Sequence, residues 1–249
     1  MKRVFRYYFS HYTIWIYIAF AVLLLYFSVS YGYLKTYWFA LFFPLIIAPF
    51  FEWVVHKYVL HMQIGNRKWI SLEEPINKGD WVKIHFGEKE KLAEVLQIEG
   101  NKMEVGYGWA RKMKFLHDHM ELLHYGHHKD PNYISLIFAP LLSVVILFCV
   151  LFSITFLITF SLGFATVFLL GSVIYYLYYE WMHLGHHIPG YKHIFSWNNR
   201  LKRAHQLHHF RNENYWWGIT SSFGDICLGT YKSHEEVKVS NSLRNINSK

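Results

Sequence analysis

Three segments of this chain share the form HxxHH: HYGHH at 124–128, HLGHH at 183–187 and HQLHH at 205–209. With 17 histidines in 249 residues, a shuffled chain would hold roughly 0.1 copies of that pattern. Imidazole is the commonest protein ligand for a metal and binds through a neutral ring nitrogen. Positions i, i+3 and i+4 share one face of an α-helix, so each segment is predicted to aim two or three imidazoles at one point. A fourth segment, HKYVLH, adds His56 and His61. Their i, i+5 spacing turns about 140° on a straight α-helix, which puts His61 beyond the helix end or on a different metal.

The candidate ligands are then ten: His56, His61, His124, His127, His128, His183, His187, His205, His208 and His209. One tetrahedral zinc needs four ligands, so ten suit two metals of five or six coordination, with places left for water or oxygen. A nitrogen-rich set without cysteine suits iron, zinc or copper rather than magnesium or calcium.

The elements that must carry these histidines are apolar and long. No Asp, Glu, Lys or Arg occurs from Tyr12 to Leu34, from Thr36 to Phe51, or through the 49 residues from Pro131 to Tyr179. A bilayer core of about 30 Å takes roughly 20 helical residues. The first two runs therefore read as one span each and the third as two, turning near Ser161, Leu162 and Gly163. The expected fold is all-α and integral to a membrane: four spans near 12–33, 37–61, 134–158 and 165–187, a helical His-rich cap, a small β insert and a polar tail over 232–249. Of the 25 Lys and Arg, only Lys35 falls in the link between the first two spans, and none lies between Pro131 and His187. By the positive-inside rule the basic side, with both termini and all four His segments, is cytoplasmic. The net charge of +8 is then met by the anionic leaflet, and nucleic acid is not needed to explain it.

The remaining features are weaker signals. The start, MKRVFRYYFSHYTIW, has an apolar run too long for a signal-peptide core and reads as a retained signal anchor. Cys149 and Cys227 lie apart in a span and in the tail, and read as packing residues. Between about 67 and 116 the composition turns charged and alternates: Val82, Ile84 and Phe86 on one face, then Met103, Val105 and Tyr107 after a Gly100, Asn101 turn. That is a β hairpin or meander on the cytoplasmic surface, with His85 on its solvent side.

FEWVVHKYVLH, LLHYGHHKDP, YYEWMHLGHH and LKRAHQLHHFRNENYWWGITSSFGDICLGTY resemble, in order and spacing, the histidine boxes of the integral-membrane fatty acid hydroxylase and sterol desaturase superfamily. They are most similar to the catalytic part of fatty acid 2-hydroxylases, from about Phe51 to Tyr231 apart from the insert. The resemblance implies a di-iron centre that takes electrons and O2 and oxidises a C–H bond of a fatty acyl or sphingolipid chain, with the ten histidines as ligands. It makes sterol or carotenoid oxidation the rival within the enzyme class. No HPGG haem motif occurs in these residues, so a separate electron-transfer protein is expected. The third box departs from the pattern: it leaves His186 or His187 as the partner of His183, with His187 preserving HxxxH. The insert from about 71 to 110 is also longer than the family link.

Around the boxes, Glu52 and Glu180 stand four and three residues before His56 and His183, placed to accept a ligand's second N–H or to pair with Lys57 and Arg203. Asp225 is a further candidate for that role. His117 and His119 are expected outside the ligand set, and His11, His193 and His234 stand alone. Tyr175, Tyr176, Tyr178 and Tyr179 form an interfacial belt, some of them lining a substrate channel. A non-enzymatic metal-binding or transport protein is the alternative of another class. A transporter would place polar groups across the bilayer, whereas these spans are apolar with His at one end only.

Overall fold

The structure is a computed structural model that describes residues 1–62, 66–72, 74–86, 89–108, 118–244 and 246. Side chains of Asn66, Arg67, Phe86 and Lys89, and the whole of His117, lie outside that description. Four helical stretches are long and apolar enough to cross a membrane: Tyr12–Ser30, Tyr33–Leu60, Ile134–Thr159 and Leu162–His187.

Before the first of these, α1 (Lys2–Ser10) packs Val4 and Tyr8 inward, and the Tyr8 hydroxyl donates to the Leu177 carbonyl at 2.7 Å. The first span is α2 (Tyr12–Ser30). The second is composite: α3 (Tyr33–Tyr37), a 3-10 turn, α4 (Phe43–Val54) and a π-helical turn over Val55–Leu60. A second π turn, Glu121–Tyr125, runs directly into α5 (Gly126–Lys129). The third and fourth spans contain α6 (Leu141–Thr159) and α7 (Leu162–His187), joined at Phe160 and Ser161. The Ser161 hydroxyl accepts the Phe164 N–H at 3.2 Å and so satisfies an orphan donor of α7's first turn. Last come α8 (Ser196–Phe210) and α9 (Phe223–Cys227).

Burial explains the arrangement. The apolar window of α7 is 61% buried, that of the α6 span only 17%. The central α7 packs on α2, the 3-10 turn, α4 and α6, whereas α6 turns most of its Leu, Ile and Phe outward, as a helix in hydrocarbon does. A Cβ built on Gly171 of α7 would lie 2.3 Å from the Leu41 carbonyl oxygen, so backbone meets backbone there. Gly171→Val should cost about 2 kcal/mol or more by overpacking, read as an earlier thermal unfolding in detergent. Cys149 and Cys227 are free and exposed rather than packed.

The expected hairpin or meander is a four-stranded antiparallel sheet, so the fold is not all-α. Its strands are β1 (Asn66–Ser71), β2 (Trp81–Phe86), β3 (Lys89–Glu99) and β4 (Lys102–Tyr107), in the order β1-β4-β3-β2. Strand β1 was not distinguishable by alternation, since NRKWIS carries charge on both faces. Ile84, Met103 and Val105 are buried as their alternation predicts, against Ala93 and Val95 of β3, and His85 is exposed. Gly100, at φ 59°, makes the turn between β3 and β4.

Candidate metal centre

Ten buried histidines form two groups of five. His56, His61, His124, His128 and His208 make one, here cluster A; His127, His183, His187, His205 and His209 make the other, cluster B. Within each group, one ring nitrogen per residue lies within 4.8 Å of all the others. The groups adjoin: the rings of His128 and His209 are 4.3 Å apart between centroids.

These are the ten candidates of the sequence, and segments 124–128 and 205–209 each aim two of their three imidazoles at one point and the third at the other. His124 and His128, one helical turn apart, face cluster A, while His127 turns to cluster B; His205 and His209 face cluster B, while His208 turns to cluster A. Successive residues of a helix diverge by about 100°, so adjacent histidines reach two centres. Each of these helices is thereby shared by both centres.

His56 and His61 meet in cluster A. The π turn brings them together: the His61 N–H donates to the His56 carbonyl at 3.1 Å, an i to i+5 bond that stacks residues five apart. His61 is also the residue just past the helix end, as one branch of the sequence reading had it.

The third box is resolved by hydrogen bonding. His186 Nε2 faces the Ile219 carbonyl at 2.9 Å and its Nδ1 faces His193 Nε2 at 3.2 Å. One nitrogen donates and the other accepts, leaving His186 no free lone pair. His187, one helical turn from His183, points into cluster B, with Nε2 2.7 Å from that of His205. His193 is therefore not isolated: it is buried and holds His186. Among the described residues, the other histidines outside the clusters have local partners, His11 with Thr13, His85 with Glu90, His119 with Ser143 and His234 with Glu235.

A run of backbone carbonyls orients the rings. His56 Nδ1 donates to the Trp217 carbonyl (2.6 Å), His208 Nδ1 to Tyr215 (2.8 Å) and His128 Nδ1 to Leu243 (3.2 Å). Alternate residues 215, 217 and 219 thus hold histidines from α8, from the second span and from α7, respectively. With the proton fixed on Nδ1, each Nε2 presents a bare lone pair to the centre. In cluster A, His124 Nε2 sits 3.1 Å from the Nε2 atoms of both His56 and His61, and His61 Nε2 sits 3.3 Å from that of His208. Protons do not relieve this crowding: burial, then neighbouring imidazoles, hold His61, His124, His128, His205 and His209 well below the usual histidine range, and His127 is pushed down to about 3. Both ring nitrogens of His127, and Nε2 of His128 and of His183, are buried without a hydrogen-bond partner among the described residues. Each such atom costs about 1–3 kcal/mol, and a cation among the rings removes the cost for the one nitrogen of each that carries a lone pair. The residues present fit a metal ion in each cluster.

Glu52 and Glu180 do not accept from the histidines. Glu52 accepts the Ile219 and Thr220 N–H groups (3.2 and 3.1 Å) and the hydroxyls of Thr220 and Tyr175 (2.7 Å each), which ties the carbonyl-bearing loop to α4. Glu180 accepts the Tyr176 hydroxyl. Lys57 lies over the Trp53 ring. Asp225, whose pKa burial pushes up, accepts the Trp217 and Gly218 N–H groups at 3.0 and 2.8 Å and the Thr230 hydroxyl. It acts on His56 through the backbone. Asp225→Ala strands two buried N–H groups, each worth about 1–3 kcal/mol; metal titration should show cluster A weakened about tenfold.

An apolar cavity of about 440 Å³ leads to this centre. It lies between α4, α6 and α7, running from Pro44, Leu151 and Phe168 to His56, Tyr175, Tyr176 and Tyr179. A smaller void of about 30 Å³ touches both clusters through His124, His127 and His183, and shares Leu60, Leu123, Ala139 and Tyr179 with the large cavity. Three of the four belt tyrosines therefore line the cavity, while Tyr178 is exposed.

Residues 108–230 match the fatty acid hydroxylase family model. A curated protein of Arabidopsis thaliana, dihydroceramide fatty acyl 2-hydroxylase FAH1, is 31% identical over 111 residues, 44% of this chain and 45% of that protein. The match thus spans under half of that relative's length. A solved structure of full-length Scs7p, in which only the hydroxylase domain is visible, shares the fold: TM-score 0.61 at 19% identity, covering 92% of this chain and 69% of that one.

Proposed function

Since the chain belongs to the fatty acid hydroxylase superfamily, we propose that it is a membrane oxidoreductase that hydroxylates the chain of a fatty acyl lipid or sphingolipid. The observation that carries this reading is the meeting of an apolar cavity with two all-histidine clusters at one end of four apolar spans. Cluster A and cluster B would each hold one metal, and the ten histidines are proposed as its ligands. Iron in both would supply the activation of O2, one oxygen atom entering a C–H bond and the other leaving as water, on electrons from a separate electron-transfer protein.

The chain's own part is to bind, orient and keep water out. Ile47, Val55, Val144, Leu147 and Phe168 give the cavity walls that take hydrocarbon and exclude water. An amphiphile keeps its head group at the membrane surface while its tail descends between the spans, so the carbon beneath the clusters is one near the head group. Leu60, Leu123, Ala139 and Tyr179, which face both voids, fix where that carbon stops. The charge distribution supports placing this face on the cytoplasmic side. Neutral imidazoles leave the metals' positive charge uncompensated, which suits an oxidising centre.

The test is metal analysis of protein purified in detergent from iron-supplemented cells, with lipid mass spectrometry of those cells against an empty-vector control and with a competent electron donor co-expressed. About one iron per cluster and a lipid gaining one oxygen atom is the expected result. Zinc or copper with unchanged lipids would point instead to metal storage or transfer.

A further inference from the structure

We propose that the segment from Lys232 to Arg244, together with Ile246, read from the sequence as part of a polar tail, is a strap that sets metal retention in cluster A without supplying a ligand. The proposal rests on the metal reading of the two clusters. The strap runs back over the two elements that supply His128 and His208. At its far end the Leu243 carbonyl accepts the His128 Nδ1–H, and Arg244 donates to the carbonyls of His128 and Lys129 at 3.4 and 3.2 Å. Ile246, 1% exposed, is seated between Met120 and Tyr125 on the segment that carries His124. In its middle, Arg211 and Asn212, just past α8, donate to the carbonyls of Val237 and Lys238 (2.7 and 3.0 Å), and Ser240 N–H returns a bond to the Arg211 carbonyl. The hydroxyls of Ser240 and Ser242 both donate to the buried carboxylate of Glu213, at 3.0 and 2.6 Å.

The effect on cluster A is specific. Among the ten cluster histidines, it is His128 whose N–H the strap accepts; His56 and His208 use the carbonyls of Trp217 and Tyr215. With the Leu243 carbonyl gone, His128 is free to change tautomer and rotate its lone pair away from the cluster. An outer partner of this kind is worth about 10–100-fold in metal affinity. Cluster B draws His127, His205 and His209 from the same two helices and His183 and His187 from α7, but among the described residues none of these five rings bonds to the strap.

The experiment uses the full chain in detergent beside three variants: deletion of residues 233–249, Ile246→Asp and Ile246→Leu. Each is loaded with iron alone, and metal per chain is followed against a competing chelator. In the deletion and in Ile246→Asp, one of two metals should be lost at about 10–100-fold lower chelator concentration, with the other held as in the unaltered chain. Ile246→Leu should retain both. Two metals held with unaltered strength in the deletion, or both weakening in parallel, would overturn the proposal, the second outcome marking the strap as a general stabiliser. Should the deletion yield no monodisperse protein, Ile246→Asp decides alone by the same criterion. An unaltered chain that binds no metal overturns the reading beneath the proposal, which is a different result from one that binds two while the variants do likewise.

Discussion

Replacing His208 with alanine should remove metal from cluster A, and replacing His209, its neighbour in sequence, should remove metal from cluster B. The two residues are adjacent on α8, buried to the same degree and chemically identical, yet their rings belong to different groups of five. His127→Ala and His128→Ala form the mirror pair: the first should act on cluster B, the second on cluster A. In each variant about one metal per chain should remain. Lipid hydroxylation should fall by more than about 100-fold, beyond the effect typical of an outer partner of a ligand. The readout that separates the clusters is a cross: His208→Ala combined with His128→Ala should leave one metal, whereas His208→Ala combined with His127→Ala should leave none. If each box served a single metal, His127 and His128 would be interchangeable, and the two double variants, which strike the same two boxes, would leave the same residual metal. Equal residual metal in both double variants would therefore refute the partition.

That partition shows where sequence reading reaches and where it ends. The spans are legible because about 20 apolar residues without charge have few other solutions, and the ten histidines because their spacing repeats. The assignment of each ring to a centre is not, since it depends on where the second span, α5, α7 and α8 stand relative to one another. The π turn at 55–60 leaves no sequence signal, although it decides whether His56 and His61 can meet. The carbonyls of Tyr215, Trp217, Ile219 and Leu243 were equally invisible: every residue has a carbonyl, and only the fold selects which ones face a ring. Glu52 and Asp225 stand out in the sequence as acids near boxes, but their partners are backbone N–H groups of the loop that presents the carbonyls of Tyr215, Trp217 and Ile219. The sequence pointed to the right acids and the wrong bonds. Strand β1 escaped for another reason, that an edge strand with polar residues on both faces has no alternation to read.

A bulky residue midway along the cavity should cut the accepted chain short while leaving both metals in place. Ser172 lines the cavity on α7, seven residues before Tyr179 and eleven before His183, and thus about 16 Å along the helix axis from the first cluster histidine of α7. Its hydroxyl is satisfied by the Phe168 carbonyl at 2.9 Å within the same helix, so losing it strands no partner on another element. In Ser172→Phe the ring would occupy space now open between Phe168, Phe148 and Leu151, which face the same cavity. Methylene groups of a chain reaching past that level would have nowhere to go. One displaced methylene is worth about 1–3 kcal/mol in such a pocket, or roughly 10–200-fold in kcat/KM. Displacing several should lower kcat/KM for long chains by more than about 100-fold. Chains that end above Ser172 should be oxidised at nearly the unaltered rate, at the same carbon, because the residues that border the clusters, Leu60, Leu123, Ala139 and Tyr179, are untouched. The measurement is a chain-length profile with metal content determined on the same sample. A uniform loss across all lengths would mean that the chain does not descend between α4, α6 and α7. A profile cut at long lengths, with the oxidised position unchanged, would establish that the cavity measures the chain from the metal end.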